Sequence, residues 1–201
     1  MIADVSHIYR GRAEKAEDRE RLKAIIAARS FKSGGEVTLA SGKSSTFYFD
    51  MKPTMLDPEG SLLLSELLLD AISGTNADAI GGLEMGAVPI ASFMAPASFA
   101  KGKPLQAFFV RKQAKEHGTK SLIEGLAEGE SLAGKRVIIV EDVTTTGGSA
   151  LKAVEIVRAE GGEIAQIITL VDRQEGAVGM FREQGLPFLA LFAAEEFRSS
   201  S

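Results

Sequence analysis

Two adjacent acids followed by a run of hydroxyl and glycine residues form the segment with the clearest chemistry, Glu141 to Ser149 in the order EDVTTTGGS. A carboxylate pair repels a phosphate, but it can accept hydrogen bonds from the vicinal hydroxyls of a sugar. The Thr/Gly/Ser run supplies hydroxyl donors and backbone N–H groups before a predicted helix, whose N-terminus favours an anion. A ribose phosphate satisfies both halves. The alternative is that Thr144 to Gly147 only cap the helix and that the acids are solvated charges.

Alternating strands and helices must position this segment. The hydrophobic pattern predicts helices at 57–73, 88–100, 147–160 and 176–184, and strands at 77–81, 105–110, 136–140, 164–171 and 188–192. This alternation predicts an α/β fold, with a central, mostly parallel sheet flanked by helices. Ligands of such sheets bind at the carboxyl ends of the strands, and Glu141 follows the most apolar strand.

The N-terminal quarter has a different pattern. Residues 17–29 predict an amphipathic helix, and Phe31 to Asp50 read as short strands joined by turns. We expect a small N-terminal subdomain, or hood, at about 1–55 and an α/β core at about 56–195. The 201 residues therefore predict a single domain with a hood.

Composition excludes several functional classes. The chain has no cysteine and two histidines, which excludes disulfides and thiolate chemistry and fits a reducing, cytoplasmic location. A net charge of −4 argues against a nucleic-acid partner. Because the longest stretch without a charge contains two prolines and is shorter than the ~20 residues that span a bilayer, we expect no membrane segment.

The 13 residues VIIVEDVTTTGGS resemble the phosphoribosyl-diphosphate-binding motif of the type I phosphoribosyltransferases. The segment matches neither the Walker loop nor the dinucleotide fingerprint. The resemblance implies that Glu141 and Asp142 hold the ribose 2′- and 3′-hydroxyls and that the Thr/Gly run wraps the 5′-phosphate. The residues it assigns to this substrate within the motif are Glu141, Asp142, Val143, Thr144, Thr145, Thr146, Gly147, Gly148 and Ser149.

Two further segments resemble the orotate phosphoribosyltransferases in particular. Leu39 to Asp50 (LASGKSSTFYFD) is similar to their orotate loop, which assigns Tyr48 and Phe49, together with Thr145, to the base. Strand alternation places Phe47 and Phe49 on one face and Tyr48 on the other, so at least one ring is expected in the core. Arg173 follows a predicted strand, and a guanidinium can bind the carboxylate of orotate through two hydrogen bonds. The alternative is a surface pair with Asp172 or Glu175.

Residues 111–118 (RKQAKEHG) resemble the catalytic loop of that family. The resemblance implies that Lys115 and His117, with Asp142, are catalytic, and that Arg111, Lys112, Lys115 and His117 contact the diphosphate. Cations brought over a leaving pyrophosphate would stabilise the charge that develops there. We expect a mobile loop over 111–131, which in the family closes over the neighbouring subunit and so implies a homodimer. The alternative is a solvated charged loop.

The pyrophosphate loop departs from the family pattern. Leu83, Glu84, Met85 and Gly86 occupy its place, and Gly86 stands where well-known members carry a lysine. Ala40 likewise replaces a lysine before the Ser-Gly of the orotate loop, where Lys43 is close enough in sequence to substitute. Backbone N–H groups of the 83–86 turn, basic loop residues and Mg²⁺ would have to hold the diphosphate.

The resemblance implies transfer of ribose 5-phosphate from phosphoribosyl diphosphate to N1 of orotate, as in UMP synthesis. It implies Mg²⁺ as cofactor, held mainly by substrate and water without direct protein ligands. Two alternatives stay open. The motif reads the sugar phosphate, so a related enzyme could use a purine or uracil. A regulator could sense the same ligand while binding nucleic acid, although the net charge and the basic loop argue against it.

Overall fold

The computed structural model describes residues 14–38, 44–113 and 121–198. The chain divides into two compact units, Met1–Asp70 and Ala71–Ser201. This boundary lies about one helix beyond the hood boundary predicted near residue 55. No helix in the described part of the chain combines the length and apolar character needed to cross a bilayer.

The N-terminal unit consists of two longer helices, a short one and a hairpin. Its elements are α1 (Glu14–Arg29), β1 (Phe31–Thr38), β2 (Ser44–Phe49), α2 (Lys52–Met55) and α3 (Pro58–Ala71). The predicted apolar face of α1 is buried at Leu22, Ile25 and Ile26. Arg21 fixes α1 to α3 through two 2.7 Å hydrogen bonds to the Glu59 carboxylate. The amphipathic helix and the strand pair are therefore confirmed.

The second unit alternates strands with helices. Its elements are β3 (Ala79–Gly81), α4 (Ala87–Ala100), β4 (Gln106–Ala107), β5 (Phe109–Val110), β6 (Ile123–Glu124), β7 (Arg136–Thr144), α5 (Gly148–Ala159), β8 (Glu163–Asp172), α6 (Ala177–Glu183), β9 (Phe188–Ala193) and α7 (Glu195–Arg198). Five strands form one sheet in the order β4-β3-β7-β8-β9, and all its pairs are parallel. The predicted parallel α/β core is confirmed.

Buried aliphatic residues explain this sheet. The inner strands contain apolar runs at 137–140 and 167–171, interrupted only by Thr169, and all of these residues are buried. Such strands are typical of parallel sheets covered on both faces. Residues of α5 and α6, among them Val154 and Phe181, pack against β7 and β8 in one core.

Three differences from the predicted elements bear on the candidate site. The strand predicted at 105–110 is two short strands, because β4 pairs with β3 whereas β5 pairs with β6 in a separate sheet. The interval after residue 110 therefore contains an antiparallel strand that periodicity missed. Strand β7 runs four residues further than predicted and includes both acids of the candidate site.

Candidate active site

The candidate site lies where the strand order of the main sheet reverses. The chain leaves β3 toward β4 on one side and, later, leaves β7 toward β8 on the other. Ligands of doubly wound sheets bind in the crevice outside such a reversal. The 82–87 turn follows β3 and the 145–149 loop follows β7, so the predicted pyrophosphate and phosphate loops meet at this edge.

Gly147 shapes the phosphate loop. Its φ of 88° lies in the left-handed region, and it caps α5 at the N-terminus. A Cβ there would come within 2.4 Å of Met180 Cε and 2.7 Å of a Phe181 ring carbon. Only glycine satisfies both constraints. Thr146, Gly148 and Ser149 are exposed, so the loop presents residues with donor groups at the positive end of a helix.

Thr144 is buried, and its side chain contacts a neighbouring acid. Its Oγ1 donates a 2.6 Å hydrogen bond to Glu141 Oε2. Ser149 also donates to this carboxylate. Glu141 is therefore held by both ends of the phosphate loop, and Thr144 positions an acid.

Glu141 is the strongly perturbed acid of the site. Its pKa is raised to about 7, and burial is the main cause. The hydrogen bonds from Thr144 and Ser149 lower the pKa, whereas the nearby charge of Asp142 raises it. The carboxyl therefore changes its charge near neutral pH. Perturbed acids in a crevice of this kind are typical of functional sites.

Asp142 lies on the other face of β7. Successive side chains of a strand point to opposite faces, which separates Asp142 from Glu141. A Cβ built on Gly86 would lie 2.3 Å from Asp142 Oδ1. The Asp142 carboxylate thus packs directly on the pyrophosphate turn. In this conformation the Asp142 carboxylate leaves no room for a side chain at residue 86.

The pyrophosphate turn is tied to the start of the predicted catalytic loop. Val110 N–H donates to Gly82 O at 2.8 Å, and Glu84 N–H donates to Val110 O at 2.8 Å. Beyond them, Lys112 N–H donates to Glu84 Oε1 at 2.8 Å. The Glu84 N–H is therefore already bonded, whereas Met85, with 64% of its surface exposed, faces outward.

Two basic side chains of this region, those of Arg111 and Lys152, have acidic or carbonyl partners. Arg111 Nη1 lies 3.7 Å from Glu124 Oε1, and Arg111 Nε donates to Gln113 O at 3.1 Å. Lys152 of α5 donates from Nζ to Lys112 O at 3.0 Å. Lys115 and His117 lie outside the described residues.

Arg173 borders the phosphate loop. Its N–H donates to Thr144 O at 2.9 Å, and its side chain is only 2% exposed. Its Nε donates to Glu175 Oε1 at 2.8 Å. The expected alternative of a pair with Glu175 is thus present, but it is buried and not on the surface. The neighbouring Asp172 accepts a hydrogen bond from Gln174 N–H, and burial raises its pKa.

The aromatic residues of the predicted orotate loop lie in the N-terminal unit. Phe31, Phe47 and Phe49 form a ring cluster with centroids 5.0 to 6.3 Å apart, and Phe49 is 4% exposed. Tyr48 is 37% exposed. The expectation that at least one ring is core is confirmed. Residues 39–43, including Ala40 and Lys43, lie outside the described part.

Two residues were missed by sequence reasoning. Glu124 lies in an interval without periodicity, and Lys152 is one of several charged residues on α5. Only distance in the folded chain singles them out. Within the described ranges, no three His, Asp or Glu side chains converge to hold a metal ion.

The sheet reversal, the acid pair and the hydroxyl-rich loop define the class of phosphoribosyltransferases, and the family model "Phosphoribosyl transferase domain" matches residues 59–179. Orotate phosphoribosyltransferase of Rhodopseudomonas palustris (strain BisB5) is 61% identical over 183 residues, which is 91% of this chain and 97% of that protein. The chain belongs to the orotate phosphoribosyltransferase family.

Solved structures agree with this membership. The Mycobacterium tuberculosis H37Rv orotate phosphoribosyltransferase in complex with Fe(III) dicitrate is 36% identical with a TM-score of 0.77, covering 90% of this chain and 98% of that one. The same enzyme in complex with 5-phospho-α-D-ribosyl 1-diphosphate is 33% identical with a TM-score of 0.73 and the same coverage.

Proposed function

We propose that this chain transfers the ribosyl 5-phosphate group of 5-phosphoribosyl 1-diphosphate to N1 of orotate, giving orotidine 5′-monophosphate and pyrophosphate in pyrimidine (UMP) biosynthesis. The observation that carries the proposal is the junction of β7 and α5, where an acid pair adjoins a loop of hydroxyl and glycine residues at a helix N-terminus. The 61% identity to an orotate phosphoribosyltransferase supports the choice of base.

In the proposed reaction the bond from C1′ to the diphosphate oxygen breaks and the bond from orotate N1 to C1′ forms. The electron pair of the broken bond leaves with pyrophosphate. The protein positions both substrates and stabilises developing charge, so no side-chain nucleophile is needed. The phosphate loop binds the 5′-phosphate, and Glu141 and Asp142 accept hydrogen bonds from the ribose hydroxyls.

Mg²⁺ fits this arrangement. Mg²⁺ usually binds one or two protein carboxylates, and phosphate oxygens and water complete its coordination. An acid pair near a bound diphosphate fits this preference. We infer that substrate and water hold the ion mainly, next to Glu141 and Asp142. When bound, it neutralises charge on the departing pyrophosphate.

The first test follows the ultraviolet absorbance of orotate with phosphoribosyl diphosphate, with and without Mg²⁺. Uracil, adenine and hypoxanthine are run in parallel with product detection. Mg²⁺-dependent loss of orotate alone is the expected result. Turnover of another base would overturn the choice of orotate, and turnover of no base would favour a regulator. Release of pyrophosphate in the absence of nucleic acid would exclude the regulator.

Arg173 is proposed to bind the carboxylate of orotate. Support comes from its place beside the phosphate loop and from burial, which strengthens a charge-assisted bond. We expect Arg173→Lys, which keeps the charge without the planar fork, to raise the KM for orotate and leave phosphoribosyl diphosphate binding unchanged. Arg182→Met, an exposed cation of α6, is the control. Equal effects of both variants would contradict this role.

We further propose a cytoplasmic homodimer in which the catalytic loop acts on the neighbouring subunit. The resemblance of residues 111–118 supports this arrangement. Lys115→Ala should lower kcat far more than it weakens orotate binding. Mixing Lys115→Ala with Asp142→Asn chains should restore activity, because each hybrid dimer has one site with both residues. Failure of two exchanging, dimeric variants to complement would place the loop in its own subunit's site.

A further inference from the structure

The backbone of Lys112 is held on both sides by side chains from two other segments. Its N–H donates to Glu84 Oε1 at 2.8 Å, and its carbonyl oxygen accepts from Lys152 Nζ at 3.0 Å. Glu84 belongs to the pyrophosphate turn, and Lys152 to the helix that begins at the phosphate loop. We call this three-residue arrangement the Lys112 clamp.

The carboxylate of Glu84 stands in for a backbone acceptor. A parallel ladder joins the turn to the strand that precedes Lys112. Its last two hydrogen bonds run from Val110 N–H to Gly82 O and from Glu84 N–H to Val110 O. The chain then enters α4 at Ala87, so it can no longer run beside residue 112. The side chain extends the ladder by one rung, with a charged acceptor in place of a neutral carbonyl.

Lys152 supplies the opposite contact. It lies one turn into α5, and its exposed side chain reaches the neighbouring segment instead of extending into solvent. A hydrogen bond from an ammonium is stronger than a neutral one. Holding a long side chain has an entropic cost, which a purely incidental contact would not offset. The contact links the start of the predicted catalytic loop to the element that binds the 5′-phosphate.

We propose that Glu84 and Lys152 are positioning residues that fix Arg111 and Lys112 relative to both phosphate-binding segments. The inference rests on the proposed function and on the expectation from the sequence that those two cations contact the diphosphate. Charge stabilisation depends on placement, and small displacements of a charged group reduce it strongly. The clamp therefore acts through Lys112 and touches no substrate itself.

Hydrogen exchange at the Lys112 amide tests the clamp without any turnover. Glu84→Gln keeps the reach and an acceptor oxygen but loses the charge, whereas Glu84→Asp keeps the charge and loses one methylene of reach. We expect exchange about tenfold faster in Glu84→Asp and Glu84→Ala and near wild type in Glu84→Gln, because the bond depends on reach. Unchanged exchange in Glu84→Ala would overturn the proposal.

Kinetics test the consequence. Glu84→Asp and Lys152→Met should each lower kcat about tenfold, with the KM for orotate within about twofold of wild type. Arg158→Met, an exposed cation further along α5, is the matched control for charge and should match wild type. The double variant Glu84→Asp/Lys152→Met should fall less than the product of the single losses, because both act on one backbone segment.

The outcomes separate this proposal from the proposed function. If wild type turns over orotate but Lys152→Met equals Arg158→Met, the clamp has no role in the reaction. If wild type shows no turnover while Lys112 exchange responds to Glu84 as expected, the clamp stands and the assigned reaction fails. If the loss of kcat in the double variant equals the product of the two single losses, Glu84 and Lys152 do not act on the same backbone segment.

Discussion

The two ends of the candidate substrate site are built differently. The 5′-phosphate end is one continuous segment of the chain, Glu141 to Ser149, whose shape depends on a strand end, a left-handed glycine and a helix start. The diphosphate end joins three separate segments, at residues 82–87, 110–113 and 152, through backbone hydrogen bonds and through bonds between side chain and backbone. Local structure therefore specifies the first end, whereas the folded chain assembles the second.

The ends also differ in how they present positive charge. The phosphate loop uses hydroxyls, N–H groups and the α5 dipole, which remain in place without a ligand. At the other end, Arg111 pairs with Glu124 and Lys152 with a carbonyl. These two cations already have acceptors in the structure, so we expect a ligand that binds them to replace those acceptors. This contrast predicts that variants at the phosphate end change stability, whereas those at the diphosphate end change rates.

Gly147→Ala should have the largest effect. The left-handed φ and the close approach of Met180 and Phe181 predict a loss of about 2–4 kcal/mol in the free energy of unfolding, together with loss of turnover. Urea unfolding measures it. Gly148→Ala is the stability control, because a Cβ there meets nothing within 4 Å. Equal unfolding midpoints for both variants would remove the distinction between the two ends.

Gly86→Ala should affect the rate without much loss of stability. Its φ of −58° and ψ of −39° suit alanine, but the new Cβ displaces the Asp142 carboxylate. We expect kcat/KM for phosphoribosyl diphosphate to fall about a hundredfold, with unfolding changed by less than about 1 kcal/mol. If Gly86→Ala acts by displacing Asp142, adding it to Asp142→Asn should lower kcat/KM little further. A full hundredfold loss in that background would refute this route.

The pKa of Glu141, about 7, predicts a pH dependence at the phosphate end. In its proposed role, ionised Glu141 accepts hydrogen bonds from ribose, so the KM for phosphoribosyl diphosphate should fall up to about tenfold between pH 6 and pH 8. Because the folded pKa is above the ordinary 4.5, ionisation destabilises the fold, and stability should decrease as pH rises from about 4.5 to 7.

Glu141→Gln supplies the control for this pH dependence. The ligand's own titration affects both proteins, so only the difference between their pH profiles reports Glu141. We expect the variant to be flatter in KM and more stable than wild type at pH 8. Parallel profiles for the two proteins would show that Glu141 does not titrate in this range.

Glu124→Gln should have the smallest effect. Its partly exposed pair with Arg111 is worth about 0–1 kcal/mol, so releasing Arg111 should lower the KM for phosphoribosyl diphosphate two- to threefold at most. Glu128→Gln, exposed in the same segment, changes the net charge equally. Titration with salt distinguishes the variants further, since a freed cation makes binding more salt-dependent. A larger gain in Glu128→Gln would contradict the pairing.

Features that depend on neighbours in sequence were predicted from the sequence, whereas contacts between distant segments were not. Periodicity and the acid–Thr–Gly pattern predicted the parallel core and the phosphate loop, because each depends on neighbours in sequence. The break between β4 and β5 was not predictable, since Phe108 is as apolar as the strand residues beside it. Glu124 and Lys152 were missed because charged residues look alike until the fold brings partners together.

Gly86 shows how a departure from a family pattern acquires a physical meaning. In sequence it was a missing lysine, whereas in the structure it is the space that the Asp142 carboxylate fills. Arg173 shows the reverse case. The pairing with Glu175 that competed with its predicted role is present, yet it is buried beside the phosphate loop, where it orients the guanidinium.

The glycines at the end of β3 have a consequence for how this sequence can vary. A Cβ on Gly81 would lie 2.4 Å from the backbone oxygen of Phe108, between β4 and β5, and one on Gly82 would lie 2.1 Å from that of Val140 in β7. In a saturation-mutagenesis library, alanine at these positions should be about as poorly tolerated as tryptophan. Tolerance at these positions would not depend on side-chain size, because every residue other than glycine adds the Cβ that causes the clash.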